Sequence, residues 1–372
     1  MERRQNGKLW AAGGRPIVGH PEDTNSGGNP MPTGPAARDL TAAYSLLDLI
    51  QGSVITQAIS VAARLGIADV LAEGPLPATE IAKRVGSDPE ATHRLLRALS
   101  GYSVFTFQPD GAYALTPMGQ ALREDAPDSM RGLAMLMSNP LHWEEFGHLM
   151  SSVRTGEANL PKLRGQGAYE FLMSNPEYAA EFFGGMRSMS ESECDPIVAA
   201  YDFSSFGTIV DVVGGRGTLL SAILKQATDA RGILFDSEVA TADAPAVFQD
   251  AGVADRITVE TGGYFDKLPA GADAYVLKHI LHDFSESDCV TMLKNVREAI
   301  APGGKMLVIE YVLTENNERH LGNIIDLWLL LLLGAKERTL PQYTELFAKA
   351  GLKVTGSVST SSPVSVIEAV PV

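Results

Sequence analysis

The spacing of apolar residues predicts helical structure in the first third of the chain. From Leu40 to Leu71, apolar side chains recur at steps of three and four, which is the spacing of one helical face. These positions are Leu47, Ile50, Val54, Ala58, Val61 and Leu65. We therefore predict an amphipathic helix, broken near Gly66. Residues 1–35 are rich in Gly, Pro and Asn without sustained periodicity, and are predicted to be a disordered tail.

Two further helices and a hairpin complete a small N-terminal unit. A short helix is predicted over residues 79–85, and Ser87 with Glu90 forms a capping-box pattern at the start of the next helix. Alternation of apolar and polar residues over 104–115, on both sides of a turn, predicts a hairpin. Helix, turn, helix and hairpin in this order form a winged-helix arrangement, which we assign to residues 36–125.

Residues 126–200 are predicted to be a run of helices that is dense in Met and Phe. The stripe consists of Met135, Met137, Met150, Met173, Phe182, Phe183, Met186 and Met189. Such a stripe is more often plain core than a ligand pocket, because Met fills irregular gaps. If a planar ligand binds nearby, the same side chains would form its apolar walls.

From residue 201 to residue 372, apolar runs of strand length alternate with helical patterns. Strands are predicted over 208–211, 232–236, 257–260, 272–278, 305–310, 353–358 and 364–369. Helices are predicted over 218–227, 285–300 and 341–350. This alternation predicts an α/β domain with a mostly parallel sheet covered on both faces. The apolar run Leu327–Leu333 is too short to cross a bilayer and is predicted to be a buried helix.

A glycine-rich turn joins the first of these strands to its helix. Asp211 ends the strand, and Gly214, Gly215 and Gly217 follow. Glycines permit positive φ and close approach of a ligand, so the pattern favours a nucleotide-like ligand, although packing alone explains many such turns. Asp236 ends the next strand, 25 positions after Asp211, and near this spacing a carboxylate can reach ribose hydroxyls.

Candidate chemistry follows the fourth predicted strand. The carboxyl ends of parallel strands share one edge, which we predict to be lined by Asp211, Asp236, Lys278 and Glu310. His282 comes directly after the strand, and imidazole is the natural general base near neutral pH, although a lone histidine is more often structural. His279 and His282 lie three positions apart, but no third ligand candidate is spaced to complete a metal site, so no metal is predicted.

Charge and cysteine usage narrow the class of partner. The formal net charge of −15 over 372 residues disfavours nucleic acid and anionic membranes as main partners. The two cysteines, Cys194 and Cys289, suit free thiols in a reducing cytosol, and we predict a cytoplasmic protein. A DNA-binding regulator is the alternative from another class, because His93, Arg94 and Arg97 lie on the would-be recognition helix.

The chain resembles the O-methyltransferase family that includes plant caffeate-type and bacterial polyketide-tailoring enzymes and uses S-adenosylmethionine. The resemblance covers about residues 40 to 370 and rests on the segments DVVGGRG, ILFD, GADAYVLKHILHDF, APGGKMLVIE and GAKERT. It implies a winged-helix dimerisation domain followed by a Rossmann-like methyltransferase domain. It also implies a homodimer and a small aromatic acceptor that carries a hydroxyl group.

The resemblance also implies residue roles. His282 matches the catalytic base, with Glu310 and Glu337 as the acidic residues that orient it. The matching donor-site residues are Asp211, Gly214, Gly215, Gly217, Asp236, Gly263, Tyr264 and Lys278. Among them, Asp236 would hold the ribose and Lys278 would reach the methionine end. Phe182 and Met186 would line the acceptor pocket.

Three departures from the family pattern involve four positions. Val213 stands where the family has a glycine, and a β-branched side chain resists positive φ. Ser237 and Glu238 replace a Leu-Pro pair, and Gly263 replaces the aspartate that meets the adenine amino group. Because of these departures, the alternative interpretation is that the chain is a relative of this family with a weakened donor site or with changed, hydroxylase-like chemistry.

Overall fold

The structure is a computed structural model that describes residues 40–372, so the predicted tail over residues 1–35 lies outside the described residues. Helix α1 (Thr41–Ile50) falls in a unit that ends at Ile50, and residues Gln51–Val372 form a second unit. Every residue of α1 is exposed. Within residues 40–372, no single helix is long and apolar enough to cross a membrane.

The second unit begins with the predicted order of helices and hairpin. Its elements are α2 (Gly52–Arg64), α3 (Ile67–Leu71), β1 (Leu76–Pro77), α4 (Ala78–Val85), α5 (Pro89–Gly101), β2 (Phe105–Phe107), β3 (Ala112–Leu115) and α6 (Pro117–Gln120). Strands β2 and β3 pair in the predicted antiparallel hairpin, and β1 adds a short third strand beside β3. Gly66 breaks the helix as predicted, in the left-handed conformation with φ 65°. The further break between α1 and α2 was not predicted.

The predicted capping box at Ser87 is wrong by one residue. The N-cap of α5 is Asp88, whose Oδ1 accepts a hydrogen bond from the amide of Ala91 at 2.8 Å. Ser87 instead shares a hydrogen bond of 2.6 Å with the hydroxyl of Thr92. Pro89 occupies the first turn, as expected, because its missing N–H costs nothing there.

Seven helices follow before the sheet. They are α7 (Arg131–Leu136), α8 (Pro140–Phe146), α9 (Leu149–Thr155), α10 (Leu160–Arg164), α11 (Ala168–Ser174), α12 (Pro176–Ser192) and α13 (Cys194–Ala200). The preference for a plain core along the Met and Phe stripe holds only in part, because Met135, Phe182, Met186 and Met189 pack against buried clusters as partly buried residues. None of the eight stripe residues is fully buried, and Met150, Met173 and Phe183 are exposed. The buried core here is formed by Leu136, Leu160, Phe171 and Tyr178, because only one side of these helices is covered.

A seven-stranded sheet organises the rest of the unit. Its strands are β4 (Thr208–Val212), β5 (Arg231–Asp236), β6 (Ile257–Thr261), β7 (Ala274–Lys278), β8 (Lys305–Glu310), β11 (Leu352–Ser359) and β12 (Ser365–Pro371), while β9 (Val312–Leu313) and β10 (Arg338–Thr339) form a separate pair. The order is β11-β12-β8-β7-β4-β5-β6. Strands β4 to β8 are parallel, and β12 pairs in antiparallel fashion with both β8 and β11 at one end of the sheet. All seven predicted strands are therefore present.

Helices cover both faces of this sheet. They are α14 (Thr218–Gln226), α15 (Ala244–Ala251), α16 (Glu286–Ala299), α17 (Gly322–Leu332) and α18 (Leu340–Lys349). Successive residues of β4 enter opposite cores: Ile209 packs on the side of α14, and Val210 packs on the side of α16 and α18. This two-sided burial explains why the strands are continuous apolar runs.

In this region one helix was not predicted, and the burial of another was predicted incorrectly. Helix α15 was not predicted, because its eight residues bury only Ala244 and Phe248 and therefore show little periodicity. The run Leu327–Leu333 was predicted to be a buried helix, but it is only partly buried. Leu329 and Leu331 are buried, whereas Leu327 and Leu333 are exposed.

The corrected cap of α5 can be tested by mutation. We expect Asp88→Ala to lower the free energy of unfolding by about 1 kcal/mol, because the amide of Ala91 loses its side-chain acceptor. Ser87→Ala is the matched control and should cost less. Urea denaturation followed by circular dichroism measures both. A larger loss for Ser87→Ala than for Asp88→Ala would contradict the assignment of the cap.

Candidate active site

The turn between β4 and α14 keeps a glycine-type backbone although it contains a valine. Val213, Gly215 and Gly217 all have positive φ, at 60°, 59° and 75°. A β-branched residue in this region is an outlier that costs on the order of 1–3 kcal/mol. Val213 therefore adopts a left-handed conformation that a glycine takes at lower cost.

Two glycines of this turn are required by their neighbours. A Cβ on Gly214 would lie 2.4 Å from the carboxyl group of Asp211, and a Cβ on Gly217 would lie 2.5 Å from the ring of Phe248. Gly217 is also the N-cap of α14, with its left-handed φ. These contacts hold the turn against the end of β4 and the middle of α15, which fixes where its amides lie.

Two buried carboxyl groups flank the turn. Asp236 accepts hydrogen bonds from the amides of Gly215 at 2.9 Å and Ser237 at 2.6 Å. Asp211 is buried, and burial together with nearby Asp236 raises its pKa to about 7, against the opposing effect of Lys278. Its Oδ2 has no hydrogen-bond partner within residues 40–372. An unpartnered buried carboxyl oxygen beside a glycine turn fits a ligand that carries hydroxyl groups or positive charge.

The segment after β6 contributes Gly263 and Tyr264. The amide of Gly263 donates to Asp266 Oδ2 at 2.7 Å, so the aspartate three residues later caps this turn. The ring of Tyr264 lies 5.2 Å from that of Phe284, which follows the predicted base by two positions. The predicted donor segment and the predicted base segment therefore lie side by side.

Lys278, at the end of β7, is bound within the protein. Its Nζ lies 2.9 Å from Ser190 O, 2.6 Å from Ser190 Oγ and 2.8 Å from Glu193 Oε2. An ammonium group has three N–H donors, and these three acceptors occupy them. Lys278 thus holds the end of α12, the helix whose earlier turns carry Phe182 and Met186. Its contact with the methionine end of a donor stays a prediction.

His282 lies buried against carboxylates. Its Nδ1 lies 2.7 Å from Glu337 Oε1 and 3.4 Å from Glu310 Oε2, while Nε2 lies 3.5 Å from Asp283 Oδ1. Burial lowers the pKa of the imidazole, but Glu310 and Glu337 outweigh this effect and raise the pKa to about 10. Nδ1 is therefore held by the glutamates, and the contact of Nε2 with Asp283 is longer than that of Nδ1 with Glu337.

Glu310 and Glu337 fix this histidine in different ways. Glu310 Oε1 accepts hydrogen bonds from the amides of Ile280 at 3.1 Å and Leu281 at 2.9 Å, so it holds the backbone that precedes His282. Glu337 contacts the ring itself, and its own amide donates to Asp326 at 2.8 Å. Burial raises the pKa of the Glu337 carboxyl, which favours sharing a proton with the imidazole.

One statement about metal ligands is wrong. His279, His282 and Glu310 do form a group whose ligand atoms lie within 4.8 Å of one another, because β8 brings Glu310 beside the two histidines. Glu310 is distant in sequence from the two histidines, so the spacing of residues along the chain did not identify it. The two imidazole rings are nearly parallel, at 18° and 5.3 Å, so their lone pairs do not converge well on one ion. The absence of a metal stays a prediction.

Sequence reasoning missed Glu193, which lies between α12 and α13. Its carboxylate accepts hydrogen bonds from His279 Nε2 at 2.8 Å and from the hydroxyl of Tyr311 at 2.9 Å, besides contacting Lys278. In the sequence, Glu193 is one acidic residue among the predicted helices of residues 126–200. The helical pattern does not show whether such a residue is buried or exposed to solvent. Only the partners, 85 and more residues away, reveal it.

Comparison with known families and structures agrees with this architecture. The O-methyltransferase domain family matches residues 146–353, and the O-methyltransferase dimerisation domain family matches residues 47–125. A phenazine O-methyltransferase of Lysobacter antibioticus is 37% identical over 88% of this chain and 96% of its own length. An 8-amino-8-demethylriboflavin N,N-dimethyltransferase of Streptomyces davaonensis is 34% identical over 82% of this chain and 89% of its own length.

A solved O-methyltransferase from neocarzinostatin biosynthesis, in complex with S-adenosyl-L-homocysteine and 1,4-dihydroxy-2-naphthoic acid, matches with a TM-score of 0.67 and 37% identity. The match covers 86% of this chain and 96% of that one. Together with the Rossmann-like sheet and the glycine turn, these matches decide the assignment. The chain belongs to the O-methyltransferase family and is a methyltransferase whose methyl donor is S-adenosylmethionine.

Proposed function

We propose that the protein transfers a methyl group from S-adenosylmethionine to a hydroxyl group of a small aromatic acceptor, with His282 as general base. The observation that supports this most strongly is the contact of 2.7 Å between His282 Nδ1 and Glu337 Oε1 in a buried site. A base held by a carboxylate on one nitrogen can accept a proton on the other.

The donor supplies an electrophilic methyl group on a positively charged sulfur. The chain's own residues then have to bind this donor, orient the acceptor and remove a proton. Asp211 and Asp236 would hold the donor, since both carboxyl groups lie buried beside the glycine turn. His282 would take the hydroxyl proton at Nε2 as the oxygen attacks, and Glu310 and Glu337 would stabilise the resulting imidazolium.

Half-buried apolar side chains support an aromatic acceptor. Phe182 and Met186 pack at the edge of the core that contains Phe171 and Tyr178, and they lie one turn apart on α12. Their helix is joined to the sheet edge through Ser190 and Lys278. Flat apolar acceptors suit such walls, and the relatives named for phenazine and for naphthoic acid substrates agree with this class.

A homodimer is the second part of the proposal. Helix α1 has no buried residue, although it carries Leu46, Leu49 and Ile50. Apolar side chains exposed along a whole helix usually mark a surface that a partner covers. The match of residues 47–125 to a dimerisation domain supports a second copy of this chain as that partner.

The role of His282 can be tested with labelled donor. We expect His282→Ala to lower kcat by roughly 10²- to 10⁴-fold, because proton removal loses its base, while the Kd for S-adenosylmethionine measured by calorimetry stays within about threefold. The acceptor panel contains phenols, 1,4-dihydroxy-2-naphthoic acid and an aromatic amine. His93→Ala, in α5, is the control and should keep its activity. Equal label transfer by His282→Ala and the native chain would refute the assignment.

The pH profile tests the contacts around His282. Its pKa is raised to about 10, so the neutral form of the imidazole increases as pH rises, and kcat/KM should keep rising until the pH reaches about 10. Glu337→Gln removes a carboxyl group that raises this pKa, and the rising limb should therefore move to lower pH. Glu345→Gln, an exposed change in α18, is the control. A limb that stays in place or moves to higher pH in Glu337→Gln would contradict the assigned contact.

Dimerisation can be tested by placing charge on the apolar face of α1. We expect light scattering to give twice the 39.7 kDa chain mass for the native protein. The double variant Leu46→Glu with Leu49→Glu should give the single-chain mass, because burying two carboxylates in an apolar interface is costly. Ser45→Glu adds one charge to the polar face of the same helix and should remain dimeric. A native protein of single-chain mass would refute the dimer.

A further inference from the structure

We propose that Glu193 is a positioning residue that ties the end of β7 and the neighbouring histidine to the acceptor-side helix. This inference rests on the proposed function of His282. Glu193 forms the junction of α12 and α13, is almost fully buried, and meets residues from β7 and from the segment after β8. It touches neither the proposed base nor the glycine turn, so its effect on the reaction would be indirect.

Three donors converge on this one carboxylate. Oε2 lies 2.8 Å from Lys278 Nζ and 2.8 Å from His279 Nε2, and Oε1 accepts from the hydroxyl of Tyr311 at 2.9 Å. Burial alone would raise the pKa of Glu193, but His279 and Lys278 outweigh it and lower the pKa to about 2. Glu193 is therefore ionised at neutral pH. A buried charge with this many partners fixes the geometry of all of them.

The link to the base passes through His279. Its ring stacks on that of His282 with centroids 5.3 Å apart, and its Nδ1 lies 3.5 Å from Glu310 Oε2. The backbone of His279 has φ 54°, which a non-glycine residue adopts only where its surroundings enforce it. The hydrogen bond from Nε2 to Glu193 is the shortest polar contact of this ring, so we expect it to hold the strained conformation three residues before the base.

The link to the acceptor side passes through Lys278. Its ammonium contacts both Ser190 and Glu193, which lie three positions apart at the end of α12. Phe182 and Met186 lie on earlier turns of the same helix, at steps of four from Ser190. One ion pair therefore couples the helix that carries the proposed acceptor walls to the strand that leads into the base. Misplacing reacting groups by about 1 Å can cost on the order of 10²-fold in rate.

The test compares Glu193→Gln with the exposed neighbouring change Asp195→Asn. With 1,4-dihydroxy-2-naphthoic acid, or another panel acceptor that the native chain methylates, Glu193→Gln should lower kcat by about 10- to 100-fold, since charge-assisted contacts are lost. KM should change less than about threefold, because the walls remain. Glu193→Asp keeps the charge and should recover part of kcat. Asp195→Asn should match the native chain.

A second measurement uses the protein without donor or acceptor. In ¹⁵N-histidine-labelled protein, the Nε2–H proton of His279 should resonate far downfield because it donates to a carboxylate, and it should move upfield in Glu193→Gln. If Glu193→Gln does not fold, Tyr311→Phe replaces it, since it removes one hydrogen bond from Glu193 and retains both charged contacts. Its kcat should fall several-fold at unchanged KM.

The outcomes separate this inference from the proposed function. Native kcat in Glu193→Gln, or in Tyr311→Phe if the first variant is unfolded, overturns the positioning role while leaving His282 untouched. An unmoved His279 resonance in Glu193→Gln overturns it as well. Native activity in His282→Ala instead refutes the proposed function itself. A fall in kcat with near-constant KM, together with partial recovery in Glu193→Asp, supports the inference.

Discussion

The buried contact between His282 and its two glutamates is the interaction on which the rest of the site depends. An imidazole and two carboxyl groups removed from water are costly unless they share charge and protons. Here Glu337 contacts the ring, and Glu310 is held by two backbone amides while remaining close to the same nitrogen. The parallel arrangement of β7 and β8 makes this possible, because their carboxyl ends bring residues about thirty positions apart to one place.

Two non-glycine residues with positive φ flank this edge. Val213 follows β4 and His279 follows β7, and these strands are direct neighbours in the sheet. Each strained backbone has a compensating contact: the amide of Val213 donates to Phe235 O at 2.7 Å, and Nε2 of His279 donates to the carboxylate of Glu193 at 2.8 Å. Because strain of this kind persists only where neighbours enforce it, both positions indicate a tightly determined loop geometry at this edge of the sheet.

The sheet could be predicted from sequence more fully than the helices or the site. Strands buried on both faces are continuous apolar runs, so β4 to β8 were visible as such. The cap of α5 was placed one residue early, since Ser87 and Asp88 are both good caps and only the bond to Ala91 distinguishes them. The stripe through Met150 and Met173 was misjudged, because composition does not show which side of a helix is covered.

For the site, the resemblance supplied His282, Glu310 and Glu337, and the structure brings these three together. It does not supply Glu193, whose partners follow it by 85 to 118 positions. A long-range ion pair leaves no periodic trace in the sequence, and an acidic residue at a helix end is usually solvated. The role of such a residue can be recognised only in the structure, where the sheet brings its distant partners next to it.

In the proposed function, the balance of charge along this edge would favour binding of the donor. Asp211, Asp236, Glu193, Glu310 and Glu337 supply five carboxyl groups, against the basic groups of Lys278, His279 and His282. Burial raises the pKa values of Asp211 and Glu337, so part of this excess is neutralised by protons before a ligand arrives. A cation placed beside a carboxyl group favours its ionised form. In the proposed function, the positive sulfur of the donor would meet carboxyl groups that can ionise in response, while the two charged contacts of Glu193 are already satisfied within the protein.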